Sequence, residues 1–348
     1  MQPKDIRKLS LEDIKAYFTE NGEKAFRAKQ VYEWLWQKSA KSFAEMTNLS
    51  KGLREKLEKD FVIKPITTDT SQKSNDGTVK SAFKLFDGEI IEGVLIPADD
   101  RMTACVSSQV GCSLSCKFCA TGYMDRKRNL DPAEIYDQVV AIDAQAKKEF
   151  DLPLSNIVYM GMGEPLLNYK NVLDSINRIT AEDGLNMSPK RITVSTAGIA
   201  KMIKKLADDE VKFNLALSLH AADDKKRDQI MPINETNTLE ALREALIYFY
   251  EKTQNKITFE YILFYNFNDT LEDAENLLKF CRQIPSKINI IEYNPIAEAD
   301  FKNTEEDRLD RFANYLKKNR VTVNVRRSRG KDIDAACGQL ANKNKQAV

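Results

Sequence analysis

Residues 111–122 read GCSLSCKFCATG, with cysteines at 112, 116 and 119 and none after them until Cys281. Three thiols spaced C-x3-C-x2-C fit neither ordinary structural use of cysteine. A disulfide needs two, and a structural zinc is normally closed by four ligands that the sequence shows as two pairs. No second pair follows. Whatever these three residues hold takes a ligand from elsewhere in the chain or keeps one position open.

The flanking patterns place this loop in a fold. Upstream, from about Val79 to Ser107, apolar residues alternate at period two in VKSAFKLF, IIEGVLIP and MTACVSS, with Asp87 and Gly88 in the turn between the first two. Downstream, helix and strand patterns alternate. PAEIYDQVVAIDAQAKKEF predicts a helix, with Asp131 as cap and Pro132 at its first position. The strands NIVYM, RITVS, FNLALSLH, ITFEYILF, INIIEY and VTVNVRR follow, separated by helical segments. Counted from the cysteine-bearing strand, this makes six βα units. The expected fold class is α/β, a partial TIM-like (βα)6 barrel. Its polar and glycine-bearing loops GMGEP, STAG, SLHA and YNP would gather at the C-terminal face, where such barrels carry their sites.

Before the strands, LEDIKAYFTENG, FRAKQVYEWLWQ and LSKGLREKLEKDF read as helices, with Leu11, Ile14, Tyr17 and Phe18, and then Phe26, Val31, Trp34 and Leu35, at helical spacing. A module of this size holds little core alone and should rest on the larger domain. The expected division is a helical accessory domain at 1–62, a β-rich extension at 63–100, the barrel at 101–340 and a tail at 341–348.

Composition narrows the class. The 348 residues are 42% hydrophobic and 30% charged, with a net charge of +1, as in an ordinary soluble globular protein. No apolar run approaches the roughly 20 residues of a membrane span, and MQPKDIRKLSLEDIKAYF lacks the apolar core of a secretory signal. No membrane partner is expected, and a cytoplasmic location is. There thiols stay reduced, and clustered cysteines mean metal or catalysis more often than structural disulfides. Charge is uneven: YLKKNRVTVNVRRSRGK, residues 315–331, holds seven Lys/Arg and no acid. Such a run is either a solvated surface or a phosphate-binding patch.

Two metal readings suit the cysteine loop. One is a zinc whose fourth ligand is His220, the sole histidine, or Cys105. The other is a 4Fe–4S cluster on Cys112, Cys116 and Cys119 with one iron open, since such clusters are held by thiolates at short spacing.

CSLSCKFC, following a strand that opens a βα barrel and carrying Phe118 before its last cysteine, resembles the signature of the radical S-adenosylmethionine (SAM) enzymes. With CVSSQVGC, MGMGEPLLN, SLHA, MPIN, YNP and RGKDIDAACGQL, the chain resembles the RlmN branch of the RlmN/Cfr family over nearly its whole length. The resemblance implies one 4Fe–4S cluster per chain, with SAM on the open iron and two SAM consumed per turnover. It implies methylation of adenine carbon 2 in the peptidyl-transferase region of 23S rRNA and beside the anticodon of tRNA. Cys337 would carry the methyl group as S-methylcysteine, and Cys105 would resolve a covalent RNA–protein intermediate through a transient disulfide with Cys337. Glu92 would be the candidate proton acceptor, and Gly163, Glu164, Ser195, Ser218, Leu219, His220 and Asn294 would contact SAM. A flavodoxin-type electron donor and a monomeric enzyme are further implications.

The residues support parts of this directly. Cys105 ends a predicted strand seven residues before Cys112 and should face the same mouth, while AACG around Cys337 suits close approach to a substrate. Glycine in GMGEP lets backbone approach a ligand. An inert buried cysteine is the ordinary alternative for Cys105 and Cys337, and the expected state of Cys281. Pro165 and RRSRG favour carbon 2 over the Cfr-like carbon 8. A zinc-stabilised RNA-binding protein without catalysis is the reading from another class.

Overall fold

The computed structural model describes residues 3–342; residues 343–348 of the expected tail lie outside them. The N-terminal helices are α1 (Leu11–Glu20), α2 (Phe26–Trp36) and α3 (Lys51–Asp60). A capping box between Ser10 and Asp13 starts α1, and the Ser50 side chain caps α3. Ile14, Phe18, Val31, Leu35, Leu53 and Leu57 point inward. The inner face of α2 differs from the expected one. Tyr32 and Trp36 are buried, while Phe26 is exposed and Trp34 half-buried, its indole N–H donating to Asn48 Oδ1 at 2.6 Å.

This module is anchored on the barrel. Buried Arg7 donates to Asp137 through Nη1 (2.9 Å) and to the Lys64 carbonyl through Nη2 (2.7 Å). The rings of Trp36 and Tyr136 meet edge to face at 5.2 Å, so one apolar core runs through both parts.

One ten-stranded sheet follows the chain without a change of order: β1 (Thr67–Lys73), β2 (Val79–Lys84), β3 (Ile90–Ala98), β4 (Arg101–Cys105), β5 (Asn156–Tyr159), β6 (Ile192–Thr196), β7 (Asn214–Ser218), β8 (Ile257–Ile262), β9 (Ser286–Ile291) and β10 (Thr322–Arg326). The first four are antiparallel neighbours, and from β4 to β10 every pairing is parallel. The crossovers carry α4 (Pro132–Phe150), α5 (Tyr169–Thr180), α6 (Ala200–Asp208), α7 (Asp224–Ile230) with α8 (Leu239–Thr253), α9 (Leu271–Cys281) and α10 (Glu306–Lys318). This is the expected α/β architecture, an incomplete barrel with an antiparallel extension at one edge. Asp131 and Glu134 form a capping box on α4, with Pro132 at its start.

The pleat sorts the side chains. On β8, Phe259 and Tyr261 face the helices, their rings packing on Phe280 and Phe312. Glu260 and Ile262 alternate to the inner face. Register aligns Ser218, Glu260, Asn289 and Asn324 in one polar row across four strands. Among the described residues no helix is long and apolar enough to cross a membrane.

Candidate active site

The cysteine loop leaves β4 and is pinned from below. Lys117 N–H donates to the Ile230 carbonyl at the end of α7 (3.0 Å), and Gly122 N–H donates to the Cys119 carbonyl (2.8 Å). Cys112, Cys116 and Cys119 line one cavity of about 160 Å³ together with Gly163, Glu164, Ser195, Ser218 and His220.

The cavity's chemistry suits an iron–sulfur cluster. Burial pushes the Cys112 thiol up to about 11 and raises Cys116 and Cys119 above the ordinary thiol range. Bare thiolates are disfavoured there, and a cationic iron core supplies the charge that holds them deprotonated. Among the described residues no three His, Cys, Asp or Glu side chains are arranged to hold a single metal ion. A cluster asks for something different, since each of its thiolates binds its own iron.

The opposite wall carries the expected SAM contacts. Gly163 has φ +93°, and a Cβ there would lie 2.5 Å from Gln109 Cβ, so glycine is required. Burial raises the Glu164 carboxyl, although its oxygens accept from the N–H groups of Leu166 (3.0 Å) and Ala197 (2.8 Å). Each oxygen keeps a second lone pair for a ligand ammonium. Ser195 and Ser218 hydroxyls lie 3.4 Å apart. His220 Nδ1 accepts from Ile262 N–H (3.1 Å), so the neutral ring carries its proton on Nε2, and burial lowers its pKa to about 3. Its ring meets Phe118 edge to face at 4.7 Å. Two other expected contacts differ: Leu219 is fully buried outside the cavity wall, and Asn294 donates through Nδ2 to the Cys337 carbonyl (3.1 Å).

Cys105 and Cys337 share a second, adjoining cavity of about 100 Å³, whose wall also includes Cys119, Arg326 and Arg329. Cys337 lines both cavities and so stands where they meet. Both thiols are free. Burial, then the neighbouring Cys337, pushes the Cys105 thiol up to about 12. Cys337 is open to solvent through the cavity but enclosed by protein on its other sides, which also raises its thiol pKa.

The basic run divides. Glu292 accepts from Arg327 (3.0 Å) and pairs with Lys331 (2.8 Å), and Arg327 also reaches Glu306 (2.6 Å). Arg326 and Arg329 remain at the mouth. Glu92 is elsewhere: it lines neither cavity, its Oε2 accepts from the backbone N–H groups of Ala341 and Asn342, and its buried Oε1 has no hydrogen-bond partner.

Two cavity residues escaped the sequence reading. Glu260, 4% exposed, has one oxygen accepting from Asn289 (2.9 Å) and the other without a hydrogen-bond partner, 3.5 Å from Arg326. Its signal was a single acid inside the apolar run ITFEYILF. Arg227, fully buried behind the cavity, donates to the carbonyls of Leu219 (3.1 Å), Ala197 (2.5 Å) and Ser218 (3.3 Å) and to Asn234 Oδ1 (2.7 Å). It was hidden in the charged stretch DDKKRDQ.

The family model described as "Ribosomal RNA large subunit methyltransferase N-terminal domain" matches residues 4–63, and that of the radical SAM superfamily matches residues 106–281. The "Probable dual-specificity RNA methyltransferase RlmN" of Cytophaga hutchinsonii is 63% identical over 343 residues, covering 99% of this chain and 94% of its own length. The "Dual-specificity RNA methyltransferase RlmN" of Geotalea uraniireducens is 43% identical over 348 residues, covering 100% of this chain and 99% of its own. A crystal structure of a radical SAM methyltransferase from Sphaerobacter thermophilus superposes with a TM-score of 0.91 at 38% identity, covering 97% of this chain and 99% of that one. With this similarity over its full length, the chain that brings the three-cysteine loop beside Cys337 and Cys105 belongs to the RlmN family of radical SAM RNA methyltransferases.

Proposed function

We propose that this enzyme methylates carbon 2 of adenine in 23S rRNA and in tRNA beside the anticodon. The observation that carries the reading is Cys337, which opens both to the cavity of the three-cysteine loop and to the basic cavity of Cys105. That carbon is electron-poor and does not attack a methyl sulfonium as an amine would, so a separate carrier and a radical route are needed. A 4Fe–4S cluster on Cys112, Cys116 and Cys119, with SAM bound, supplies the one-electron chemistry.

The chain's own residues do the rest. Glu164 and the Gly163 backbone orient SAM, with Ser195 and Ser218 on the same wall. Cys337 sulfur displaces a methyl group from one SAM, releasing S-adenosylhomocysteine. Once the carrier carbon is bonded to the base, Cys105 thiolate attacks Cys337 sulfur. The S–S bond forms and the sulfur–carbon bond breaks with its electron pair going to the carrier carbon, which takes a proton from solvent to become the methyl group, the ring proton having left carbon 2 beforehand. Cellular thiols then reduce the disulfide. Arg326 and Arg329 meet RNA phosphates at the mouth, the target base leaving its stack to reach Cys337. Residues 1–62 grip the folded RNA, residues 63–100 extend the sheet, and residues 101–340 form the barrel with the carrier segment. The enzyme acts as a cytoplasmic monomer with a flavodoxin-type donor.

The test is anaerobic turnover with SAM, reductant and unmodified tRNA or an rRNA fragment, followed by mass analysis of nucleosides. 2-Methyladenosine is expected; 8-methyladenosine, or no methylated adenine, overturns the reading. Pro165 on the cavity wall is the residue to exchange if carbon 8 is found.

A further inference from the structure

Glu92 lies in the middle of β3, 1% exposed. Its Oε2 accepts from the backbone N–H groups of Ala341 (2.9 Å) and Asn342 (3.1 Å), and Asn342 Nδ2 donates back to the Ile90 carbonyl on the same strand (2.7 Å). Buried Lys80 on β2 is its diagonal neighbour: register sets Ala82 opposite Glu92 and Val94 opposite Lys80. Lys80 Nζ lies 3.6 Å from Glu92 Oε1 and 3.5 Å from the Asp334 carbonyl.

The pair therefore holds the chain on both sides of Cys337, at Asp334 before it and at residues 341 and 342 after it. Burying an ion pair is costly unless its polar atoms are satisfied. Here both backbone donors from the Cys337 segment go to Oε2, while Oε1 has no hydrogen-bond partner and faces only the Lys80 charge. The segment and the pair therefore stabilise each other.

We propose that Glu92, with Lys80, is a positioning residue, a latch that fixes the Cys337 segment in the barrel mouth. The proposal rests on the reading of Cys337 as the methyl carrier.

Three variants of the cluster-loaded enzyme test it: Glu92→Gln, Glu92→Ala and Lys80→Met. The first readout needs no RNA: the rate of Cys337 alkylation by iodoacetamide under anaerobic conditions, measured by peptide mass. Glu92→Gln keeps a carbonyl oxygen for the two N–H groups but loses the charge that faces buried Lys80, and should label faster than wild type and slower than Glu92→Ala. Glu92→Ala and Lys80→Met should label about tenfold faster as the segment opens more often, a change of about 1.4 kcal/mol in that opening. In the second readout, methylation, Glu92→Gln should stay within about tenfold of wild type and Glu92→Ala should fall about a hundredfold, the scale expected for a misplaced reacting group.

Unchanged labelling in all three variants overturns the latch. So does a Glu92→Gln enzyme that labels at the wild-type rate yet stalls as a covalent RNA adduct on a denaturing gel, since its fault then lies in the chemistry and not in the position of the segment. If Glu92→Ala does not fold, Lys80→Met and Glu92→Gln still decide the question. Methylation by Cys337→Ala would instead refute the carrier reading, and the labelling result would stand apart from it.

Discussion

Ala120 N–H donates to the Gly338 carbonyl at 2.7 Å, tying the residue after the last cysteine of the loop to the residue after Cys337. The next loop residue, Thr121, donates through Oγ1 to the carbonyl of Leu340, two residues past Gly338, at 2.6 Å. The two cysteine segments, 218 residues apart by these positions, are thereby one stitched unit, and Cys337 inherits its place from the loop that precedes it in the barrel.

Gly338 carries this contact at φ +84°, and an added Cβ would lie 3.1 Å from the Phe118 carbonyl. Gly338→Ala should therefore push the carrier segment off the loop, at a strain of about 1–2 kcal/mol. Methylation should fall at least tenfold while iron content stays near that of wild type, which elemental analysis and turnover assays on one preparation will show. Loss of iron in parallel would place the fault in the loop itself.

The two outer thiols have separable fates. Cys337→Ala should abolish methylation and leave no protein–RNA adduct. Cys105→Ala removes only the thiol proposed to release the product, so a covalent adduct should persist through denaturing electrophoresis and disappear on nuclease treatment. Adduct formation in Cys337→Ala would refute the assignment of the carrier.

Much of this was legible because parallel strands buried on both faces read as short apolar runs, and because Asp131, Pro132 and Glu134 announce the helix after the cysteine loop in sequence alone. Spacing likewise exposed the three cysteines. The environment of Glu92 was not legible. Its partners Ala341 and Asn342 lie some 250 positions away and present only backbone, which no side-chain pattern records. The inner face of α2 slipped for a similar reason: Trp34 turns outward to Asn48, a contact that helical periodicity does not see. Arg227 looked like one more solvated charge beside two lysines, and only the fold shows it closing loops after β6 and β7.

Arg227 is the residue whose loss should be felt most in stability. Its guanidinium reaches only neutral acceptors, and burial lowers its pKa to about 10, leaving it charged at neutral pH. Arg227→Met fills part of the space but takes this donor from the Ala197 and Ser218 carbonyls and the Asn234 amide oxygen, while the Leu219 carbonyl keeps Ala221 N–H, at about 1–3 kcal/mol for each group that stays dry. Partial hydration should reduce the total to about 3–5 kcal/mol, seen as a lowered melting temperature and a raised KM for SAM, since Ala197 and Ser218 line the cavity. An unchanged melting temperature would mean that water replaces the guanidinium fully.

His220 should give the fold a pH dependence. Its native pKa of about 3 lies below its ordinary value of 6.5, so the unfolded chain binds the proton first. Stability is therefore complete above about pH 6.5 and declines as pH falls towards the native value. Between pH 6.5 and pH 5 this group alone should remove about 1.5 kcal/mol. His220→Gln keeps an acceptor for Ile262 N–H without the titration. Urea midpoints at the two pH values should thus shift more in wild type than in this variant; equal shifts would show that the histidine is already protonated in the native protein.

Arg329 isolates the electrostatic part of RNA binding. Of the cations near Cys337, Arg327 and Lys331 are neutralised by Glu292 and Glu306, and Arg326 faces Glu260. Arg329 is exposed, and its one hydrogen bond, to the Asp76 carbonyl, is long at 3.4 Å. A phosphate held there releases condensed counterions, so Arg329→Ala should weaken tRNA binding at low salt and reduce the slope of log affinity against log salt by about 0.7–0.9. Arg327→Ala should change the slope less, because its charge is already matched within the protein. The RNA-free alkylation rate of Cys337 should be the same in both variants, which separates a lost phosphate contact from a disturbed carrier segment. Equal slopes in wild type and Arg329→Ala would move the phosphate contact to another part of the surface.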